Sequence, residues 1–326
     1  MTRFTTSSIL AVTAIALAAL AGLSSTLTAQ TYPSRPVHLI VPFPAGGPSD
    51  NAARTVGEAL SKLLGQPVVV ENKAGADGAI AAQAVRNASP DGHTILFSGS
   101  SMVSLALLKN PPPFDPVTDF APVSQITRLE WAMYVSPDVP VRSIAEFIAY
   151  ARSNPGKLSY GSSNMSEYLA SAQFMKVTGT TMVRVPYKGG TQALPDLLAG
   201  RVQVNFAPVS AWLPYVADGR LRMLAVLLPQ RSRFAPDVPT LAEAGVPDVS
   251  VPGWQAVFAP PKTPREIIDR LNSEVSRVLL APEVRAQFER QAAQVQGSTV
   301  AGLAATIKDD LWTWSEFIQQ YGIAAD

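Results

Sequence analysis

From Val37 onward, apolar positions come in short runs that switch between two periods. "VHLIVPF" is a continuous apolar run of strand length. "SDNAARTVGEALSKLLG" then places apolar residues at helical spacing, through Ala53, Val56, Leu60 and Leu63–Leu64, and stops at Gly65. "QPVVVE" is short and β-branched, "AIAAQAVRN" is helical, "SPDGH" is a turn, and "TILFS" is strand-like again. Strand, helix, strand, helix, strand with short connections predicts a parallel sheet covered by helices.

The stretch "KNPPPFDPVTDFAPVS" interrupts the alternation and reads as an irregular surface connection. "WAMYVS" and "SIAEFIAYARSNPG" restart it, and "KLSYGSS", "YLASAQFMKVTG", "TMVRVPY", "TQALPDLLAG", "RVQVNFAP" and "RLRMLAVL" carry it on. Near Val251–Pro261, "VPGWQAVFAPPKTP" is rich in proline and reads as a crossover. From Thr263 the pattern is helical to the end, with no strand expected. A terminal helical block has no sheet of its own to cover, so it is expected to return to the first one. This gives two α/β lobes, one discontinuous: residues 30–131 with 253–326, and residues 132–252. The hinge is expected near Leu129–Tyr134 and Val251–Trp254. Ligands of such proteins bind in the cleft at the carboxyl ends of the strands.

The first stretch, "MTRFTTSSILAVTAIALAALAGLSSTLTAQ", has another character. Arg3 is followed by an apolar run from Ile9 to Leu23 and then by small polar residues up to Ala29. That is the pattern of a cleavable secretory signal over residues 1–29. The apolar run is shorter than the ~20 residues that a spanning helix needs. The mature chain is expected to be exported and soluble.

Charge and composition remove several classes of function. Basic residues number 26 and acidic ones 25, and loss of Arg3 would balance them. A neutral chain has no field to attract nucleic acid or anionic lipid. The absence of cysteine excludes disulfides, thiol catalysis, cysteine metal sites and a lipid-bearing N-terminal cysteine. The two histidines, His38 and His93, lack the H-x-x-x-H spacing of a zinc site. No cofactor and no metal are expected.

The candidate chemistry lies where strands run into helices. In "PFPAGGPSD", Gly46 and Gly47 let a ligand approach the backbone. Ser49 or Asp50 can cap the helix, and its free N–H groups favour an anion. A side chain at Gly46 or Gly47 is expected to obstruct that approach. "YGSSNMSEY" repeats the theme with Gly161, Ser162, Ser163, Asn164 and Ser166. "VPYKGGTQ" adds the charge of Lys188 beside Gly189, Gly190 and Thr191. "LFSGSSMVSL" offers Ser98, Gly99, Ser100 and Ser101. Any one of these could be ordinary turn and cap chemistry; four of them split between two lobes point to an anion-binding cleft. The "SDN" at Ser49–Asn51 lacks the S-x-x-K and K-T-G of a serine β-lactamase, and no G-x-S-x-G elbow is present. Asp309–Asp310 reads as a solvated helix face. Trp312, Trp314 and Phe317 read as core.

These residues also resemble a family. "YPSRPVHLIVPFPAGGPSDNAAR", "GQPVVVENKAGADG", "SPDGHTILF", "DFAPVS", "VPYKGG", "DLLAGRVQ", "DVPTLAEAG", "FAPPKTP" and "LNSEV" resemble, in order, the solute receptors of tripartite tricarboxylate transporters, the Bug proteins. The resemblance implies a two-lobed type II periplasmic-binding fold and a periplasmic location. It implies no catalysis, and capture of a small organic carboxylate for delivery to integral membrane transporter subunits. A monomer is expected. It implies ligand contacts from Phe43, Pro44, Ala45, Gly46, Gly47 and Asp50, and from Lys188, Gly189, Gly190 and Thr191. Ser98, Ser100, Ser162, Ser163, Asn164 and Ser166 complete the expected site. Four departures stand out: Pro44 replaces a commoner small residue, the Gly161–Ser166 loop is shorter than the family's G-S-x-G-x-G-S stretch and lacks its later glycines, Tyr168 stands where the family tends to have histidine, and Ala207–Pro208 follow "VNF" where aspartate is frequent. The carboxylate end of the cleft therefore looks kept and the specificity end altered. The expected ligand is less polar at that end than a tricarboxylate or acidic amino acid. A ligand-loaded sensor for a membrane kinase and a secreted α/β enzyme are the alternatives.

Overall fold

Strand β1 (Val37–Val41) buries four of its five residues, as an apolar run does when it lies inside a sheet with neighbours on both edges. Helix α1 (Pro48–Leu64) starts with proline in its first turn and ends on Gly65 in the left-handed conformation, φ 68°. Proline at the start and a left-handed glycine past the end are favoured for the same helix, because each suits its terminus. Strand β2 (Val68–Asn72), helix α2 (Ala79–Arg86), strand β3 (Thr94–Gly99), helix α3 (Ser101–Leu108) and strand β4 (Ala121–Arg128) follow. The chain then builds β5 (Trp131–Val135), α4 (Ile144–Ser153), β6 (Ser159–Ser162), α5 (Met165–Thr178), β7 (Val183–Pro186), α6 (Gly190–Leu198), β8 (Val204–Pro208), α7 (Val209–Ala217) and β9 (Arg222–Val226). It finishes with β10 (Trp254–Ala259), α8 (Arg265–Leu280), α9 (Pro282–Arg290), β11 (Gln294–Val295) and α10 (Val300–Tyr321). This computed structural model describes residues 32–246 and 249–323; the signal segment expected at 1–29 lies outside them.

The strands form two mixed sheets, ordered β11-β4-β10-β3-β1-β2 and β7-β6-β8-β5-β9. In the first, β1 is parallel to β2 and β3, while β10 runs antiparallel to both β3 and β4. In the second, β6 is parallel to β7 and β8, and β5 is antiparallel to β8 and β9. The chain passes from one sheet to the other at Leu129–Glu130 and returns before Trp254. The two crossings lie side by side, with the Leu129 N–H donating to the Gly253 carbonyl at 2.8 Å. The terminal helices cover the first sheet: α8 packs on β4 and α1, and α10 packs on β4 and α3.

One buried cluster joins the two sheets. It takes Ile40, Leu96 and Phe258 from the first, Met133 and Phe206 from the second, and Phe174 from helix α5. A second cluster, with Tyr134, Leu197, Val202 and Trp212, sits on the other face of the second sheet.

Five expectations need correction. Trp254–Ala259 is no crossover but a central strand, with all six residues buried between β3 and β4; its prolines stand at its ends, where no ladder hydrogen bond is lost. The terminal block does contain a strand, the two-residue β11 on the edge beside β4. The Pro-rich connection is anchored in the core by Phe114 and Phe120, whose rings meet edge to face at 5.5 Å. On α10, Trp314 is buried but Trp312 is 70% exposed, and Asp310 is no free solvated acid, since it accepts from the Trp254 indole at 2.7 Å. Among the described residues no helix is long and apolar enough to cross a membrane.

Candidate functional site

Among the described residues, five helices begin at one cavity of about 220 Å³. They are α1, α3, α5, α6 and α7, and each directly follows a strand of one sheet or the other. A helix start leaves its first N–H groups without intrahelical acceptors. In α1, α3, α6 and α7 the capping residues are Gly47, Ser100, Gly189 and Pro208, and none caps through its side chain. In α5 the Asn164 side chain accepts from the N–H groups of Ser166 and Glu167. Side-chain caps are thus lacking at four of the five helix starts, although at α7 Pro208 has no N–H and the Val209 N–H donates to the Glu130 carbonyl at 2.7 Å.

The loop after β1 is held from behind. Asp50 is buried and accepts from the Gly46 N–H, Arg54 Nε and Asn72 Nδ2, each at 2.9 Å. Asn72 also donates to the Phe43 carbonyl at 3.0 Å. Burial alone would push the Asp50 carboxyl up, but the hydrogen bonds from Arg54, Gly46 and Asn72 outweigh it and hold it below the usual carboxylate value. Gly46 needs its glycine for conformation, since its φ is +82°. The obstruction expected at Gly46 and Gly47 concerns a ligand's approach; the protein's own atoms leave that space open. A Cβ at Gly46 would meet no atom within 4 Å, and one at Gly47 only the Pro44 carbonyl at 3.7 Å and Thr191 Cγ2 at 3.8 Å. The tight approach is at Gly189, where a Cβ would lie 2.6 Å from Pro44 Cδ.

Glu167 occupies the second-sheet side. It lines the cavity yet is only 4% exposed. Its carboxylate accepts from the Ser163 N–H at 2.6 Å, Ser163 Oγ at 2.8 Å and Asn164 Nδ2 at 3.0 Å. Burial pushes this carboxyl up to about 7, against the hydrogen bonds from Ser163 and Asn164 and the charge of Arg184. Arg184 stacks over the Tyr168 ring at 4.7 Å.

Aromatic side chains form much of the remaining wall: Trp131, Trp212, Tyr215 and Trp254, with Leu129, Leu194 and Ala207. Two of the indoles spend their N–H elsewhere, Trp131 on the Pro252 carbonyl at 3.2 Å and Trp254 on Asp310. Tyr134 packs edge to face on Trp212 from behind, at 5.1 Å. Gln255 reaches across the floor, donating to Ser49 Oγ at 2.9 Å while accepting from Thr127 at 2.9 Å.

Of the residues singled out in the sequence, Phe43, Pro44, Gly46, Gly47, Ser100, Ser163, Asn164, Ser166, Gly189, Gly190 and Thr191 line this cavity. Ala45 is exposed beside it. Asp50 lies behind the loop rather than on its surface. Ser98 is buried in β3, opposite Ala256. Ser162 turns its hydroxyl to the Asn164 carbonyl at 3.2 Å, and Ser100 turns its own to Pro252 at 2.8 Å. Lys188 lines a neighbouring cavity, shared with Phe43, Ser163 and the turn at Gly75–Gly78. The aromatic walls, Gln255 and Glu167 were not foreseen, whereas Ala207–Pro208 at the β8–α7 junction stand out in the sequence as a departure from the family pattern. Glu167 alone left a readable sign: Asn164 followed three residues later by an acid is a capping pattern.

The chain matches the tripartite tricarboxylate transporter family receptor over residues 52–323. It is 35% identical over 309 residues to Protein BugT of Bordetella pertussis, covering 93% of this chain and 94% of that one. The solved structure of the periplasmic binding protein BugD superposes with a TM-score of 0.86 at 30% identity, over 90% of this chain and 100% of that one. R. palustris Rpa4515, solved with adipate, gives 0.86 at 34% identity, over 90% and 99%. The expected two-lobed α/β architecture, two helix-flanked sheets of periplasmic-binding type, is thus the one observed. With a match that runs from within the first helix to beyond the last, the chain belongs to the tripartite tricarboxylate transporter receptors, the Bug-type periplasmic solute-binding proteins.

Proposed function

We propose that this protein captures a small organic carboxylate in the cavity between its two sheets and, from the periplasm, delivers it to the integral membrane subunits of a tripartite tricarboxylate-type transporter. The observation that carries the reading is the convergence of five helix starts on one enclosed space, four of them without a side-chain cap. Hydrogen bonds to a charged group contribute ~1.5–3 kcal/mol each, and a partly buried helix terminus up to ~2 kcal/mol. Two or three such contacts suffice for micromolar binding, about −8 kcal/mol.

In this reading the backbone at Gly47–Ser49 and Gly190–Thr191 grips the carboxylate, directly or through water. Phe43, Pro44 and Ser100 shape the pocket around it. Asp50 holds the first loop in place, and Lys188 adds positive charge from the adjoining cavity. Residues 30–131 with 253–326 act as one lobe and 132–252 as the other. The adipate found with Rpa4515 supports the ligand class, and the family match supports the transport role.

A thermal-shift screen of the mature protein against mono-, di- and tricarboxylates tests the binding claim. A ligand at about 100 times its Kd adds roughly 2.7 kcal/mol to stability. Absence of a shift with every member of the panel overturns it. Loss of uptake of the bound compound on deletion supports delivery; intact uptake with lost gene induction overturns it in favour of signalling.

A further inference from the structure

We propose that Glu167 sets the ligand class: a monocarboxylate whose remaining polar group is a neutral hydrogen-bond donor, with a second carboxylate refused. This rests on the carboxylate-receptor reading above and narrows it.

Among the described residues, Glu167 is the one carboxylate lining the cavity, and no lysine, arginine or histidine lines it. Three donors already use its two oxygens: the Ser163 N–H, Ser163 Oγ and Asn164 Nδ2. A carboxylate offers about four acceptor sites, so roughly one remains for a ligand donor. The same donors are withdrawn from any ligand anion, because Ser163 and Asn164 are spent on Glu167. The helix start that would otherwise stabilise an anion there is capped by the protein's own residues. The nearest opposite charge acting on Glu167, Arg184, stacks on Tyr168 and does not line the cavity. On β8, the neighbour of β6 in the same sheet, Ala207 offers only a methyl group and Pro208 has no N–H. A second ligand carboxylate would meet a buried like charge with no cation to offset it. A hydroxyl would meet an acceptor with a vacant lone pair. Burial pushes the Glu167 carboxyl up to about 7, so it is charged in mildly alkaline buffer.

The test is titration calorimetry at about pH 8 with hexanoate, 6-hydroxyhexanoate and adipate, on the parent and on Glu167→Gln. These probes share one carbon skeleton and differ only at one end. In the parent, 6-hydroxyhexanoate is expected to bind tightest, hexanoate roughly tenfold weaker and adipate weaker still, by about a hundredfold. Glu167→Gln keeps the shape and removes the charge; adipate should gain about tenfold or more relative to 6-hydroxyhexanoate. A purely structural cap would shift all three probes together. Adipate as tight as 6-hydroxyhexanoate in the parent overturns the inference and leaves the carboxylate-receptor reading standing. So does the expected parent ranking combined with no relative gain for adipate in the variant. Hexanoate equal to 6-hydroxyhexanoate overturns the donor half. Failure of the parent to bind any of the three up to about 1 mM overturns the receptor reading as well. Should the variant not fold, the parent ranking decides.

Discussion

Gly189 and Pro44 come from different sheets and meet so closely that a Cβ on Gly189 would sit 2.6 Å from Pro44 Cδ and 2.9 Å from its Cγ. Gly189 has an extended backbone, φ −179°, so glycine is needed there for space and not for conformation. Gly189→Ala should therefore force the two loops apart. We expect roughly tenfold weaker binding of 6-hydroxyhexanoate, with the melt of the ligand-free protein nearly unchanged because the loops can separate. Pro44→Ala in the same background should restore much of the affinity, since the contact couples the two sites. Calorimetry on the single and double variants checks this; unchanged affinity in Gly189→Ala would show that the loops need not close.

Asp50 ties the Gly46 N–H to Arg54 and Asn72. Asp50→Ala should cost about 1 kcal/mol, because it removes hydrogen bonds from part-buried donors that can turn to water, and it should weaken ligand binding by freeing the loop. The carboxyl is held below its ordinary value. Its contribution to stability is thus present above the unfolded-state value and fades as pH falls through the lowered folded one. Urea melts of the parent and variant should differ most at neutral pH and progressively less as the pH falls below the ordinary carboxylate range.

Glu167 has the opposite sign. Its folded value is about 7 against 4.5 for the model carboxyl. Between those limits the folded protein holds a proton that the unfolded chain gives up, so stability falls as pH rises from about 4.5 and levels off above about 7. The groups facing it, Ser163, Asn164 and the more distant Arg184, limit the effect without reversing it. The difference between parent and Glu167→Gln should change by on the order of 3 kcal/mol across that window. A pH-independent difference in urea melts refutes the assignment.

The strand-to-helix loops were legible because glycine, serine and a change of period from strand to helix coincide there. "PFPAGG" and "YKGG" announce themselves without any tertiary information. The opposite wall was not legible. Trp131, Trp212, Trp254 and Gln255 come from three distant segments, and only the sheet crossings bring them together. Trp254–Ala259 also hides between prolines, so its strand reads as connection. Glu167 hides for another reason: in sequence it looks like an ordinary first-turn acid, and only burial turns it into a wall of the cavity. Gly46 and Gly47 both line the cavity, but sequence could not tell that the close contact belongs to Gly189.

Ser104 and Ser166 supply the last prediction. Their hydroxyls lie 3.1 Å apart, both buried, one on α3 over the first sheet and one in the first turn of α5 over the second. Around them a single apolar cluster runs from Ile40 and Phe258 to Phe174 and Phe206. Two lobes that touched only across solvent would unfold separately, whereas a shared core couples them. We expect one calorimetric transition for the ligand-free protein. Ser104→Ala removes one partner and leaves a buried hydroxyl unpaired, at a cost of about 1–3 kcal/mol. For a chain of this size each kcal/mol lowers Tm by roughly 2–4 °C. The transition should move down as a whole and stay single, because the surrounding cluster is untouched. Affinity for 6-hydroxyhexanoate should stay within about twofold, since Ser166 keeps its place in the cavity wall. Scanning calorimetry decides between the outcomes: two resolved transitions in the parent, or a split in the variant, would mean that the sheets fold as independent units and that the Ser104–Ser166 seam carries little of the coupling.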